Sequence, residues 1–230
     1  MKFFSDVLQC FTNEKYFTTL CEGLKLTLII SVGAAVIGLL LGTLVALAKL
    51  SKRGGLMAIP RVIANIYITI IRGTPMALQL FIMAFVIFAI RGFPKEITAI
   101  LAFGINSGAY VAENIRAGIL SVDPGQSEAG RALGLSGGVT MRKIVIPQAI
   151  KNVIPAIGNE LIALIKETSI VGMIGMFDLT TGAQIIGSGQ NLAGYFAPMT
   201  VAALFYLAIV YALTFAVKKI ERRLRSGDKR

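Results

Sequence analysis

Residues 24–48 read LKLTLIISVGAAVIGLLLGTLVALA, an apolar run interrupted by one charge, Lys25. The hydrocarbon core of a bilayer is about 30 Å thick and takes roughly 20 residues of helix to cross, so this run is long enough to span it. A cleaved secretory leader ending at Ala46-Leu47-Ala48 is the rival reading, but a leader has a shorter apolar region with basic residues directly before it. Working outward, further runs lie at Pro60–Ile90, Ile97–Leu120, Ile150–Gly172 and Tyr195–Val217. The expected fold is an all-α membrane protein with five transmembrane helices over 24–217, an extracytoplasmic N-terminal segment at 1–23 and a basic tail at 218–230.

Composition points the same way. Of 230 residues 55% are hydrophobic and 15% charged, with a mean hydropathy of +0.75; a soluble domain carries about a quarter charged residues. There is no His, and the two cysteines, Cys10 and Cys21, both precede the first run. A His-dependent catalytic triad is therefore excluded, and no zinc, haem or iron–sulfur ligand set can be recognised. No catalytic residue and no metal ligand is expected.

The net charge of +11 raises the question of nucleic acid, but the cations fall between the apolar runs. Lys49, Lys52, Arg53 and Arg61 flank the first connection, and Arg131, Arg142, Lys143 and Lys151 lie in the third. Lys218, Lys219, Arg222, Arg223, Arg225, Lys229 and Arg230 form the tail, whereas the opposite side has Lys2, Lys15, Arg91 and Lys95. Positive charge accumulates on the cytoplasmic side, so the N-terminus is expected outside and the C-terminus inside. The tail then reads as a topology anchor against membrane lipid rather than a nucleic-acid arm.

Two connections are more than links. Asp123-Pro124-Gly125-Gln126 combines an N-cap residue, a proline at the first helical position and a Gln placed to reach back, and Gly134 stands where a left-handed stop is needed. This predicts a short cytoplasmic helix at 124–133, about 15 Å long and the size of a docking element. The stretch from Met173 to Gly194, with Asp178 its single charge and many Gly, Thr and Gln residues, is expected to be a partner-facing or gating loop.

Polar groups inside spans cost about 2.5 to 3.5 kcal/mol each when charged, so each needs a reason to be there. Arg72-Gly73-Thr74-Pro75 interrupts the second run, where Gly73 and Pro75 predict a kink or break whose freed backbone must face protein or water. Counting at 1.5 Å per residue along straight spans places Arg72 roughly 18 Å, Asn106 about 14 Å and Glu160 about 15 Å from their nearest span ends, all near the midplane. Arg72, Thr74, Asn106, Asn159 and Glu160 are the expected substrate-binding groups: a guanidinium matches a carboxylate and a carboxylate an ammonium, which suits an α-amino acid. The competing arrangement pairs Arg72 and Glu160 with each other or with packing helices, and only specifies the bundle. Glu113 and Arg116, at i,i+3 spacing, are expected to form a structural or gating ion pair about 6 to 10 Å from the cytoplasmic face. Lys166 and Glu167, followed by Thr168-Ser169, lie in the outer third of the fourth span, as a gate or as helix packing.

Glu128-Ala129-Gly130, then Gly134, nine intervening residues, Ile144, one residue and Ile146-Pro147 resembles the EAA loop of binding-protein-dependent ABC transporter permeases, with Gly130 in place of the usual second Ala and Ile146 in place of Leu. The similarity extends over nearly the whole chain through Ile71-Arg72-Gly73-Thr74-Pro75, Ile105 to Glu113, Arg116-Ala117-Gly118, Pro147-Gln148-Ala149 and Gly158-Asn159-Glu160, and is closest to the polar amino-acid uptake branch (histidine, glutamate, glutamine, arginine and opines). The resemblance implies the transmembrane domain of a type I ABC importer in a bacterial inner membrane. Its partners would be a second permease subunit, identical or related, two cytoplasmic ATPase subunits and an extracytoplasmic amino-acid-binding protein. It makes 124–133 the coupling helix, with Ser127, Glu128, Ala129, Arg131, Ala132, Leu133 and Gly134 meeting the ATPase. ATP and Mg would be bound by that partner, consistent with the lack of a Gly-x-x-x-x-Gly-Lys-Ser/Thr run here, and no cofactor belongs to this chain. The chain would be a transporter subunit rather than an enzyme, for glutamine, arginine or related polar amino acids. A permease of the same architecture for another small solute is the alternative, ahead of a membrane enzyme using Glu113, Glu160 and Glu167 or an ion channel.

Overall fold

The computed structural model describes residues 2–50, 58–189, 192 and 194–226; Lys52, Arg53, Lys229 and Arg230 lie outside the described residues. Among the described residues every regular element is helical. They are α1 (Lys2–Thr12), α2 (Glu14–Leu50), α3 (Ala58–Gly73), α4 (Met76–Ile82) with a π turn at Met83–Ile87, α5 (Lys95–Leu120), α6 (Pro124–Ala132), α7 (Gly137–Thr140) with a π turn at Met141–Val145, α8 (Ile146–Glu167), a 3-10 helix at Thr168–Ile174, α9 (Leu179–Gly187) and α10 (Phe196–Arg225). α2 and α10 are long and apolar enough to cross a membrane on length and composition alone, and α3 with α4 makes a third span if the break lies within one crossing. α5 and α8 are long enough to cross but carry Thr98, Asn106, Ser107, Asn152, Asn159 and Glu160, which lower their hydropathy. Intramembrane polar residues characteristically face protein or water rather than lipid.

The chain divides into two compact units. The first comprises Met1–Val36, Pro75–Gly104 and Leu161–Leu213; the second comprises Ile37–Thr74, Ile105–Glu160 and Thr214–Arg230. In the first unit Ile30, Leu80, Phe103, Leu164 and Val171 form one core, and Cys10, Leu20, Leu179, Ala183 and Val201 a second. The second unit is built on alanines, with Ala46, Ala109 and Ala112 packed beside Ile68.

The expected loop at 173–194 is a correction. Its centre is α9, whose Leu179, Ala183 and Ile186 are buried at helical spacing together with Gly182 and Gly187, among the Gly and Thr that make the sequence read as a loop. Asp178, the lone charge, is fully buried as the N-cap of α9 and accepts from Thr180 N (3.0 Å), Thr181 N (3.1 Å) and Thr181 Oγ1 (2.6 Å). Thr27 Oγ1 in α2 accepts from Leu179 N at 3.4 Å. The backbone at Asp178 passes so near α2 that a Cβ on Gly23 would sit 2.6 Å from the Asp178 carbonyl oxygen.

Close approach also organises the second unit. A Cβ on Gly42 would lie 2.6 Å from Val111 Cβ and 2.7 Å from the Gly108 carbonyl oxygen, and one on Gly158 would lie 2.5 Å from Val217. Lipid supplies no hydrophobic drive between helices, so van der Waals contact allowed by small residues is what holds them. Gly42→Ala forces a methyl against a backbone oxygen that cannot move alone, and is expected to cost about 1–3 kcal/mol, the range for overpacking. Gly73→Ala, where a Cβ meets nothing within 4 Å, is expected to leave stability unchanged. Thermal unfolding of the two purified variants in detergent distinguishes these outcomes.

Candidate functional site

α3 ends at Gly73, and Pro75, with φ −63° and ψ 138°, caps the start of α4. Proline cannot donate and biases the residue before it toward extended backbone, which accounts for the interruption at Thr74. The Thr74 hydroxyl donates to the Ile70 carbonyl at 2.9 Å. Arg72 occupies the last turn of α3, where a cation complements the negative end of the helix dipole.

Within the second unit the groups around Arg72 form one electrostatic cluster. Its guanidinium lies over the Tyr110 ring, 5.2 Å from the centroid, and Nη1 is 4.0 Å from Glu113 Oε2. The same Glu113 oxygen accepts from Arg116 Nη2 at 2.9 Å and Nε at 3.1 Å, while Lys49 Nζ donates to Oε1. Three cations from α2, α3 and α5 thus share one carboxylate. Glu113 is 16% exposed and Arg72 44%, so the carboxylate is enclosed and the guanidinium is half free. A cation–π contact between exposed groups contributes about 0.5–1 kcal/mol and orients the guanidinium without using its hydrogen-bonding edge. Tyr67 donates its hydroxyl to the Ile105 carbonyl, and Gly108 leaves room for that hydroxyl, which a Cβ there would approach to 2.8 Å.

Of the competing arrangement, a direct pair of Arg72 with Glu160 is absent from the ion pairs of the described residues: the carboxylate that Arg72 reaches is Glu113, on a packing helix. Straight spans counted by rise alone set Arg72 and Glu113 at different depths, yet their charged groups meet at 4.0 Å. Counting along straight axes shows depth but not which helices pack together, and a long arginine side chain reaches across the difference. The i,i+3 pair of Glu113 with Arg116 is present, enlarged by two partners. Of the other expected binding groups, Asn106 is buried at 4% exposure, Glu160 is half-buried, and Thr74 and Asn159 are exposed. Lys49 and Tyr110 were not expected at the site. Tyr110, Glu113 and Arg116 recur at steps of three and share a helix face, which is the signal for Tyr110; nothing local marks Lys49.

In the first unit, Lys166, Ser169, Thr180, Met199 and Tyr206 border a mostly apolar cavity of about 530 Å³. Lys166 and Glu167 are exposed, whereas Thr168 is buried with its hydroxyl on the Ile165 carbonyl at 2.8 Å. The 3-10 helix that follows ends at left-handed Gly175 (φ 74°), and Lys95 Nζ donates to the Ile174 carbonyl at 2.9 Å.

α6 is capped at both ends. Asp123 accepts from Gly125 N at 2.8 Å, and Gln126, rather than reaching back, accepts from Gln148 Nε2 at 3.3 Å. At the C-terminus Gly134 (φ 78°) donates to the Arg131 carbonyl, and Leu135 N donates to the Gly130 carbonyl, the paired bonds of a Schellman stop. Glu128, Ala129, Arg131, Ala132 and Leu133 are exposed, Leu133 at 80%, and Ser127 is half-buried. Gly130 is buried, and a Cβ there would lie 2.7 Å from Thr140 Cγ2.

Residues 38–226 match the family described as binding-protein-dependent transport system inner membrane component. The arginine transport system permease protein ArtQ of Bacillus subtilis (strain 168) is 43% identical over 209 residues, covering 90% of this chain and 93% of its own. The putative glutamine transport system permease protein GlnP of Rickettsia bellii (strain RML369-C) is 43% identical over 205 residues, covering 88% and 91%. Among solved structures, the crystal structure of an amino acid ABC transporter with histidines superposes with a TM-score of 0.83 at 41% identity, over 91% of this chain and 95% of that one.

The cluster separates two kinds of variant. Glu113→Gln leaves enclosed cations without their counter-charge and is expected to cost about 3 kcal/mol or more, as breaking a buried pair does. Arg72→Ala removes a half-exposed group whose ion contact is at the outer limit, and is expected to cost under about 1 kcal/mol. Thermal unfolding monitored by size-exclusion chromatography reads both; equal losses would show that Arg72 is structural.

Proposed function

The chain belongs to the binding-protein-dependent transport system inner membrane component family, as a multi-pass permease subunit of an ABC import system, and we propose that it carries polar amino acids, glutamine or arginine and related solutes, into the cytoplasm. The relatives named for arginine and glutamine transport support this substrate class. The observation that carries it in the chain itself is Arg72, a half-free guanidinium fixed over Tyr110 in a cluster where cations outnumber the carboxylate. Such a group accepts the α-carboxylate of an amino acid in bidentate fashion. Thr74, Asn106 and Asn159 supply neutral donors and acceptors, and Glu160 a carboxylate for the ammonium group.

The family's permease works with ATPase subunits and a binding protein. On the proposed orientation the N-terminus is extracytoplasmic and the C-terminus cytoplasmic, so α6 faces the ATPase and acts as its coupling helix. Two copies of this chain, or this chain and a related permease, enclose the path, and ATP with Mg is held by the ATPase alone. Closure of the ATPase dimer draws the two coupling helices together and changes which side the site opens to. The loaded binding protein and ATP each favour a conformation the empty permease rarely occupies, since a ligand shifts an equilibrium only through differential affinity. Gly73, Pro75, Lys166 and Glu167 are the proposed gating elements.

ATPase activity of the reconstituted complex with its binding protein, measured against each amino acid in turn, is expected to rise for one or a few polar amino acids. In that assay Arg72→Ala abolishes the substrate-dependent increment while the complex still assembles; undiminished stimulation removes Arg72 from the site, and flat rates for the unsubstituted complex shift the assignment to another solute. Leu133→Asp alters an 80% exposed side chain, so the permease folds but loses its hold on the ATPase, read as loss of co-purification or of transport-coupled hydrolysis.

A further inference from the structure

Beyond Val217, where the last apolar run ends, α10 continues as helix to Arg225 with a cationic side. Positions 215, 218, 219, 222, 223 and 226 recur at steps of three and four and therefore share one face. They are Phe215, Lys218, Lys219, Arg222, Arg223 and Ser226, all exposed, and they border a recess of about 410 Å³. Arg225 turns to a different side, pairing with Glu221 at 3.2 Å and reaching Asn152. Among the described residues none of Lys218, Lys219, Arg222 and Arg223 has a carboxylate partner.

The change from aromatic to cationic along this face occurs at the edge of the hydrocarbon. At 1.5 Å per residue, Lys218 lies about 1.5 Å and Arg223 about 9 Å past Val217, and the headgroup layer of each leaflet is about 5 to 7 Å thick. Long basic side chains bend back toward that layer. Phe215, 63% exposed, stands at the apolar end. An exposed aromatic followed, at headgroup depth, by cations that have no carboxylate partner among the described residues is complementary to a phospholipid, acyl chain beside the ring and phosphate beside the cations.

We propose that this face of α10 is a binding site for the headgroup of an anionic phospholipid, with Lys218 and Arg222 on the phosphate, Lys219 and Arg223 flanking it, and Phe215 against the acyl chains. This goes beyond setting orientation, which needs only the number of cations and not their sharing of a face.

The chain contains no Trp, so Phe215→Trp places a single indole at the site, excited selectively at wavelengths the tyrosines do not absorb. The full chain carrying it is reconstituted in phosphatidylcholine vesicles doped with brominated phosphatidylglycerol or, separately, brominated phosphatidylcholine. Half-maximal quenching is expected at about a fivefold lower mole fraction of the anionic lipid. Adding Lys218→Gln and Arg222→Gln brings the two curves together, Lys218→Arg with Arg222→Lys keeps them apart, and Arg142→Gln with Lys143→Gln in another basic connection has no effect. Identical curves without those substitutions, or a preference that survives Lys218→Gln with Arg222→Gln, would overturn the site. So would a preference lowered equally by Arg142→Gln with Lys143→Gln, which marks diffuse attraction. The titration is repeated with the ATPase subunits assembled, taking the difference from the complex that retains Phe215; a preference abolished there would mean that a protein covers this face instead.

Discussion

A carboxylate in a membrane-spanning segment has to be met by positive charge, and Glu113 is met by three cations drawn from three helices of one unit. Lys49 in α2 and Arg116 in α5 take its two oxygens directly, and Arg72 in α3 stands at 4.0 Å. Since an uncompensated charge at depth costs several kcal/mol, the arrangement fixes which turns of α2, α3 and α5 lie together. Close packing of Ala46, Ile68, Ala109 and Ala112 then proceeds around a register already set.

Small residues make that register reachable. Gly42 against Gly108 and Val111, and Gly108 beside the Tyr67 hydroxyl, remove the side chains that would keep α2, α3 and α5 apart. Gly130 belongs to the same class. On helix propensity alone it weakens α6 by about 1 kcal/mol relative to Ala, yet it is buried where that mostly exposed helix presses on Thr140 and Ile144. The departure from the family's usual residue is thus matched by the space available to it. α6 then offers its remaining surface outward, which is the geometry of a docking element.

Much of this was legible in the chain. Apolar runs gave the helical, membrane-spanning class, Asp123-Pro124 and Gly134 delimited α6, and Arg72-Gly73-Thr74-Pro75 located the break. What could not be read was which helices pack together. Arg72 and Glu160 group in the sequence because both fall near mid-depth on straight axes, whereas the packing of α2, α3 and α5 and the reach of a long side chain bring Arg72 to Glu113. α9 escapes a sequence reading for a different reason: its buried face mixes Leu179, Ala183 and Ile186 with Gly182 and Gly187, and Thr180 and Thr181 stand beside it. A helix that packs closely inside a protein needs few large residues, so it reads as a loop. Lys49 read as a topology charge because its partner lies 64 positions away.

The looseness of Arg72 is informative about the proposed role. A guanidinium locked in a bidentate pair with a buried carboxylate would have to break that pair each time a substrate arrived, and a low-dielectric site makes the cost large. Here the tight bonds of Glu113 go to Lys49 and Arg116, so its charge is balanced before Arg72 is counted. Arg72 is oriented by the Tyr110 ring, which holds it by its face and leaves its edge for an incoming carboxylate. Orientation without neutralisation lowers the entropy lost on binding while keeping the site unsaturated. On that proposed role the same feature would limit affinity, because Glu113 would still attract Arg72 and draw it back as the substrate's carboxylate departed. A transport site has to release its cargo on every cycle, and a cation shared between a resident carboxylate and a passing one meets that requirement.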